Sequence, residues 1–168
     1  MIIWIFGQPC SGKTTLADLL MQGKDEFFSK GSVFSGKVDA VHLDGDKFRE
    51  IYRNNFYGMG GRMVNISRAA SVARYLEFSG STVVCSFVTP YKQMRDMVSA
   101  VADKVAFIYL TYDGERGRED YHVGDFELPD PKTEFFLHIN TSETTPEQAI
   151  RKIINFCNEL NARHHQTA

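Results

Sequence analysis

The chain alternates short, almost wholly apolar runs with longer stretches in which apolar residues recur every three to four positions. Ile2-Ile3-Trp4-Ile5-Phe6 is apolar throughout, as a strand is when both its faces are covered. Comparable runs follow at 38–43, at Thr82-Val83-Val84-Cys85-Ser86-Phe87, at 105–110 and at 135–139. Between them the period becomes helical. Leu16, Leu19 and Leu20 predict a helix over 13–21, and a short one is expected over 46–53. Ile66, Ala69, Ala70, Ala73 and Leu76 share one side of a helix over 64–78. A further helix is predicted over 91–101, after Pro90. The last spans 146–162, with Thr145 as N-cap, Pro146 at the first helical position and Glu147 in the first turn. This alternation predicts an α/β fold of three layers, with a mainly parallel five-stranded sheet between helices. Ligands of such sheets bind at the carboxyl ends of the strands.

The residues after the first strand carry the clearest chemistry. Gly7-Gln8-Pro9-Cys10-Ser11-Gly12-Lys13-Thr14 has the form G-x-x-x-x-G-K-[ST]. Such a loop curls its N–H groups around a phosphate, and the next helix turns its N-terminus to the same anion. Lys13 is expected to reach the β/γ-phosphates of ATP, and Thr14 to offer its hydroxyl to Mg²⁺. Gly7, Cys10, Ser11, Gly12, Lys13, Thr14 and Thr15 are the expected nucleotide-binding residues, so the fold class becomes a P-loop NTPase/kinase fold. No NKxD-like guanine signal is present, and 168 residues are few for an AAA-type ATPase. A small kinase is the class that remains.

The second strand ends in His42-Leu43-Asp44-Gly45-Asp46. Either carboxylate there could accept the proton of an attacking hydroxyl or hold Mg²⁺. Asp is also a common helix cap, and Asp46 could serve in both ways. Lys13, Asp44 and Asp46 are thus the candidate catalytic residues, and Thr14 and Asp44 the candidate metal ligands.

Composition narrows the partners. Lys and Arg number 19 and Asp and Glu 21, a net charge of −2. That balance excludes a uniformly basic nucleic-acid coat and an acidic disordered tail. Cys10, Cys85 and Cys157 are scattered and match no metal-binding spacing, which fits a reducing cytoplasm. The apolar start is too short for a signal-peptide core, and no run reaches the roughly 20 residues of a membrane span. Residues 1–168 are expected to form one domain.

Four blocks, taken together, resemble the adenylylsulfate (APS) kinase family. They are the phosphate loop, Leu43-Asp44-Gly45-Asp46-Lys47-Phe48-Arg49, Gly61-Arg62-Met63-Val64-Asn65-Ile66-Ser67-Arg68, and Phe87-Val88-Thr89-Pro90-Tyr91-Lys92. The resemblance implies transfer of the γ-phosphate of MgATP to the 3′-hydroxyl of adenosine 5′-phosphosulfate. It assigns Arg49, Arg62 and Asn65 to the acceptor and Tyr57 to stacking on its adenine. It also places Phe87, Val88, Thr89 and Lys92 against the acceptor. Arg49 and Arg62 have the fork geometry that phosphate and sulfate oxygens suit. Tyr57 stands in a glycine-rich stretch that reads as mobile. Family members are often homodimers.

The chain departs from the family after its fourth strand. The family has a basic lid there, with an R-D-P-K-G-L-Y segment. Here Arg118-Glu119-Asp120-Tyr121-His122 is the nearest counterpart, and about a dozen lid residues are missing by spacing. The reduced lid, about 113–132, leaves Arg116 and Arg118 as the arginines near the nucleotide. Residues 113–147 carry ten acidic side chains. Three alternatives follow: an APS kinase, a kinase on the same scaffold for another hydroxyl (cytidine-linked, nucleoside or modified base), or a nucleotide-binding regulator without turnover. Residues 47–95 hold eight Lys/Arg and two Asp/Glu, a local +6 against −8 elsewhere. A small anionic, nucleotide-type acceptor is therefore expected in the middle of the chain.

Overall fold

A computed structural model describes residues 1–22, 40–117 and 119–165. Five strands form one sheet: β1 (Ile2–Gly7), β2 (Ala40–Asp44), β3 (Thr82–Phe87), β4 (Val105–Thr111) and β5 (Phe136–Asn140). Among the described residues, five α-helices accompany them: α1 (Lys13–Gln22), α2 (Gly45–Ile51), α3 (Met59–Phe78), α4 (Lys92–Val101) and α5 (Pro146–His165). The strand order is β2-β3-β1-β4-β5, with every neighbouring pair parallel. The three-layer α/β expectation is met. The part of the second expected strand before residue 40 lies outside the described residues.

The side-chain period of two on β1 divides the core. Ile2, Trp4 and Phe6 face one side, with α3 and α4, where Ile66, Ala69, Ala73, Met94 and Val98 pack. Ile3 and Ile5 face the other, with α1 and α5, where Leu16, Leu20, Ile150 and Ile153 pack. All five apolar residues at the start of β1 are fully buried. Each such side chain contributes about 1.5–3 kcal/mol of transfer free energy. Ala69, Ala70 and Ala73 of α3 are buried in this core, on the one side of the helix that their spacing predicted.

Local chemistry sets the helix ends. Thr145 accepts from the Gln148 N–H at 3.3 Å, and Gln148 returns a bond to the Thr145 N–H at 3.1 Å. This reciprocal cap starts α5 where the sequence placed it. It is Asp44, not Asp46, that caps α2, accepting from the N–H groups of Asp46 and Lys47, both at 3.1 Å.

The start of α3 is a correction. α3 starts at Met59 rather than Val64, so Gly60 and Gly61 belong to its first turn. Gly61 is there for space: a Cβ would come within 2.1 Å of the Phe56 carbonyl oxygen. The buried Asn54 ties the approach to α3. Its Nδ2 donates to the Gly61 carbonyl at 2.8 Å, and its Oδ1 accepts from the Phe56 N–H at 3.2 Å.

Candidate functional site

The phosphate loop joins β1 to α1 at the carboxyl edge of the sheet. Its backbone turns through positive φ at Gly7 (148°), Cys10 (61°) and Gly12 (92°). Gly7 admits no side chain, because a Cβ would lie 2.3 Å from the Leu110 carbonyl oxygen on β4. Ser11 is fully buried under the loop, while Thr14 and Thr15 are exposed on the first turn of α1.

Lys13 folds back over the loop. Its Nζ donates to the carbonyls of Gly7 (3.0 Å) and Gln8 (2.6 Å) and to Ser11 Oγ (3.3 Å). Burial pushes the Lys13 ammonium down to about 8, although Asp46, Cys10 and Asp44 favour its charged form. Arg62 works with burial in the same direction. A buried cation of this kind gains most from an anion brought beside it.

Asp44 faces Lys13 from the end of β2. Its Oδ2 accepts from Thr14 Oγ1 at 3.0 Å and from Ser86 Oγ at 3.1 Å. Burial alone would raise this carboxyl. The Lys47 N–H, the hydroxyls of Thr14 and Ser86, and His42 outweigh it and hold Asp44 below the usual carboxylate range. A carboxyl held below the usual range is a poor proton acceptor. Asp46 is exposed and lies within electrostatic reach of Lys13 and Arg49. Thr14 and Asp44 together offer hard oxygen donors, which suit Mg²⁺.

The arginines bind the loop that holds Tyr57. Arg49 Nη1 donates to the carbonyls of Asn54 and Phe56, both at 3.1 Å, and its guanidinium lies 4.6 Å from the Tyr57 ring centroid. Arg62 Nε donates to the Tyr57 carbonyl at 2.7 Å. Burial lowers both guanidinium groups, and Arg49 lowers Arg62 further. Both remain cations at neutral pH. Tyr57 is exposed beside a groove of about 650 Å³ lined in part by Tyr52, Phe56, Met59, Val64 and Arg68. Asn65 is buried, and its Oδ1 has no hydrogen-bond partner among the described residues. Such an atom costs about 1–3 kcal/mol unless something donates to it.

The side chains of the segment after β3 have partners within the protein. Phe87 is buried in the core and stacks on Trp4 with centroids 5.2 Å apart. Thr89 is fully buried and accepts from Trp4 Nε1 at 2.8 Å. The side chains of both residues are therefore taken up by the core. Val88 packs against that core. Lys92 pairs with Asp96 at 2.6 Å, one helical turn on.

The acidic stretch also has structural work. Asp125 accepts from the Tyr91 hydroxyl at 2.9 Å, and Glu127 accepts from the Lys92 N–H at the start of α4. Glu134 pairs with the buried Arg95. These contacts hold residues 123–134 against α4 and the sheet. Gln8 adds a clamp from the phosphate loop, exchanging bonds with both backbone groups of Val123 at 2.9 Å. Arg116 Nη1 donates to the Cys10 carbonyl at 3.0 Å, so this arginine does meet the phosphate loop. Arg118 lies outside the described residues.

Gln8, His42, Asn54, Ser86 and Asp125 complete the arrangement without having been singled out. Two left a trace. Ser86 is a polar residue inside a mostly apolar strand, and His42 lies two residues before Asp44 and so on the same face of β2.

The sequence profile of the adenylylsulphate kinase family matches residues 1–117. A probable adenylyl-sulfate kinase of Aeropyrum pernix is 34% identical over 111 residues, covering 66% of this chain and 56% of that protein. An adenylyl-sulfate kinase of Staphylococcus carnosus is 24% identical over 93% of this chain and 83% of its own. The stretches matched in several curated relatives span about half of those proteins' length. Among solved structures, the Mycobacterium tuberculosis APS kinase in complex with AMPPNP and APS superposes with a TM-score of 0.72. It is 19% identical, with 92% of this chain and 95% of that one covered, and so speaks for the fold. No helix among the described residues is long and apolar enough to cross a membrane.

Proposed function

The chain belongs to the adenylylsulphate kinase family, and from that premise we propose that it transfers the γ-phosphate of ATP to the 3′-hydroxyl of adenosine 5′-phosphosulfate. The observation that carries the reading is the grouping of Lys13, Arg49 and Arg62, three cations lowered by burial in one electrostatically coupled cleft. Two anionic nucleotides meeting there would relieve that burial cost.

Each residue then has a role. The phosphate loop and Lys13 cradle the β/γ-phosphates, and Arg116 steadies the loop through Cys10. Thr14 and Asp44 would hold Mg²⁺, which when bound neutralises charge on the transferring phosphoryl group. Arg49 and Arg62 take the phosphosulfate end of the acceptor, Tyr57 offers its base a flat partner, and a sugar hydroxyl satisfies Asn65 Oδ1. Asp46, free of side-chain hydrogen bonds among the described residues, takes the proton of the attacking hydroxyl. The protein's main contribution is alignment and fixed charge.

The assignment of the two carboxylates is testable. Asp46→Asn is expected to lower kcat about 10²-fold or more with acceptor KM little changed, as for loss of a general base. Asp44→Asn is expected to act through the Mg²⁺ dependence of the rate. The reverse pattern in steady-state kinetics would exchange the two roles.

The docked acidic segment favours a second reading, a kinase of the same scaffold with another hydroxyl as acceptor. Asp125 lies within electrostatic reach of Arg62, where the acceptor's anionic end would sit. Incubation with MgATP and a panel of APS, cytidine nucleotides and hydroxymethylated nucleosides separates the two. Saturable ADP release with APS supports the first. Turnover only with another acceptor replaces it with the second.

A further inference from the structure

Behind the Thr14–Asp44 pair, a line of side chains runs outward from the site. Ser86 Oγ lies 3.1 Å from Asp44 Oδ2, His42 Nε2 2.9 Å from Ser86 Oγ, and Asp18 Oδ1 3.2 Å from His42 Nδ1. We propose that His42, oriented by Asp18 and acting through Ser86, positions the Asp44 carboxylate for Mg²⁺. The proposal rests on the reading above that Asp44 is the metal-side carboxylate.

The direction of these bonds follows from donor counting. An ionised carboxylate only accepts, so the Ser86 hydroxyl spends its one proton on Asp44. Ser86 must then accept from His42, which makes Nε2 a donor. The same counting makes Nδ1 the donor to the Asp18 carboxylate, so donation leaves His42 at both ring nitrogens, to Asp18 on one side and through Ser86 to Asp44 on the other.

Three elements hold the arrangement. α1 presents Thr14 and Asp18 four residues apart, on one face. β2 presents His42 and Asp44 two residues apart, also on one face. β3 places Ser86 in register with Asp44. Thr14 meets Asp44 and Asp18 meets His42, so the two pairs close a frame around Ser86. Exposure rises along it: Ser86 is 3% exposed, and the side chains of His42 and Asp18 are 11% and 55% exposed. The frame holds one oxygen of Asp44 at a fixed angle, while the Asp46 and Lys47 N–H groups hold the other. Partners of this kind, one bond removed from a metal ligand, typically govern metal affinity by about 10–100-fold.

Binding of a non-hydrolysable ATP analogue, measured calorimetrically with Mg²⁺ and with a chelator, tests this without turnover. Ser86→Ala and His42→Leu are expected to reduce the Mg²⁺-dependent gain in affinity by about 10-fold or more, leaving binding in chelator unchanged. His42→Gln, which keeps a donor toward Ser86, is expected to recover most of the gain. Asp18→Ala, at the exposed end, is expected to lose a few-fold and carries the test if the buried variants do not fold. A wild-type protein whose analogue binding ignores Mg²⁺ overturns the reading of Asp44 itself. A wild-type Mg²⁺ gain that survives in all the variants overturns only the role of His42 and Ser86. Equal losses with and without Mg²⁺ do the same, since they mark a merely structural part.

Discussion

Lys13→Ala is expected to cut phosphoryl transfer by about 10²–10³-fold or more, the scale seen when one preorganised charge is removed from a developing anion. It is also expected to leave the fold intact. Lys13 spends its hydrogen bonds on the loop itself, and its removal ends the cost of a buried cation. The pH dependence gives this prediction a second arm. Burial holds the folded-state value at about 8, against 10.5 for an exposed lysine. Between those values the unfolded chain binds the extra proton, so this group makes the nucleotide-free protein more stable as pH rises through the interval. The effect amounts to about 3 kcal/mol across it, and Lys13→Ala is expected to flatten that rise. A bound polyphosphate restores the charged form. Nucleotide binding at about pH 8.5 is thus expected to take up protons, seen as a calorimetric heat that changes with the buffer's ionisation enthalpy. Identical proton uptake by wild type and Lys13→Ala would remove this lysine from the phosphate site.

Glu134→Ala is expected to destabilise the protein by about 3–5 kcal/mol, because it leaves a buried guanidinium without its counter-charge. Arg95 is 2% exposed and meets Glu134 at two points, Nε to Oε2 at 2.5 Å and Nη2 to Oε1 at 3.1 Å. The other hydrogen bonds of Arg95 are weaker, to the carbonyls of Thr89 and Pro90 at 3.3 and 3.4 Å, and its guanidinium lies 5.4 Å from the Phe6 ring centroid. Such a loss is a large part of the roughly 5–15 kcal/mol that holds a domain folded. Urea unfolding measures it. The double change Arg95→Met with Glu134→Leu is expected to recover most of the loss, since an apolar pair of similar volume avoids desolvation. A loss below about 1 kcal/mol for Glu134→Ala would mean that the segment is held mainly by Tyr91–Asp125 and the Glu127 cap.

That pair shows why the acidic stretch was hard to read. Ten acidic residues after the fourth strand looked like a lid of the wrong charge for a site that binds anions. The structure divides them by partner. Glu134 neutralises Arg95, Glu127 satisfies the first turn of α4, and Asp125 takes the Tyr91 hydroxyl. Only the last stands near the arginines of the cleft. Sequence distances of 34 to 39 residues separate these partners, so no local pattern could join them.

The fold was legible because its signals are local and repeated. A fully apolar run, a glycine-lysine turn and a helical period each reflect a few neighbouring residues, and five repetitions agreed. The phosphate loop was legible for the same reason, since its function resides in eight consecutive residues. The carboxylates were legible as a pair but not in their roles. Asp44 and Asp46 are equivalent by type and differ only in what reaches them: two hydroxyls and two N–H groups at Asp44, and electrostatic neighbours at Asp46. The contacts of Phe87 and Thr89 with Trp4, some eighty residues away in the chain, were not legible in the motif that holds them.

By itself, the sequence determined the layers, the strand-to-helix alternation, the phosphate loop and the basic middle of the chain, because periodicity, turn chemistry and net charge are sums over neighbours. Only the tertiary structure decided which carboxylate carries the hydrogen bonds, which acidic residues are structural, and that His42 and Ser86 stand behind Asp44. Those properties depend on burial and on donors brought together by the parallel register of β2 and β3, and a hydrogen bond has no existence in the sequence until both of its ends have been placed.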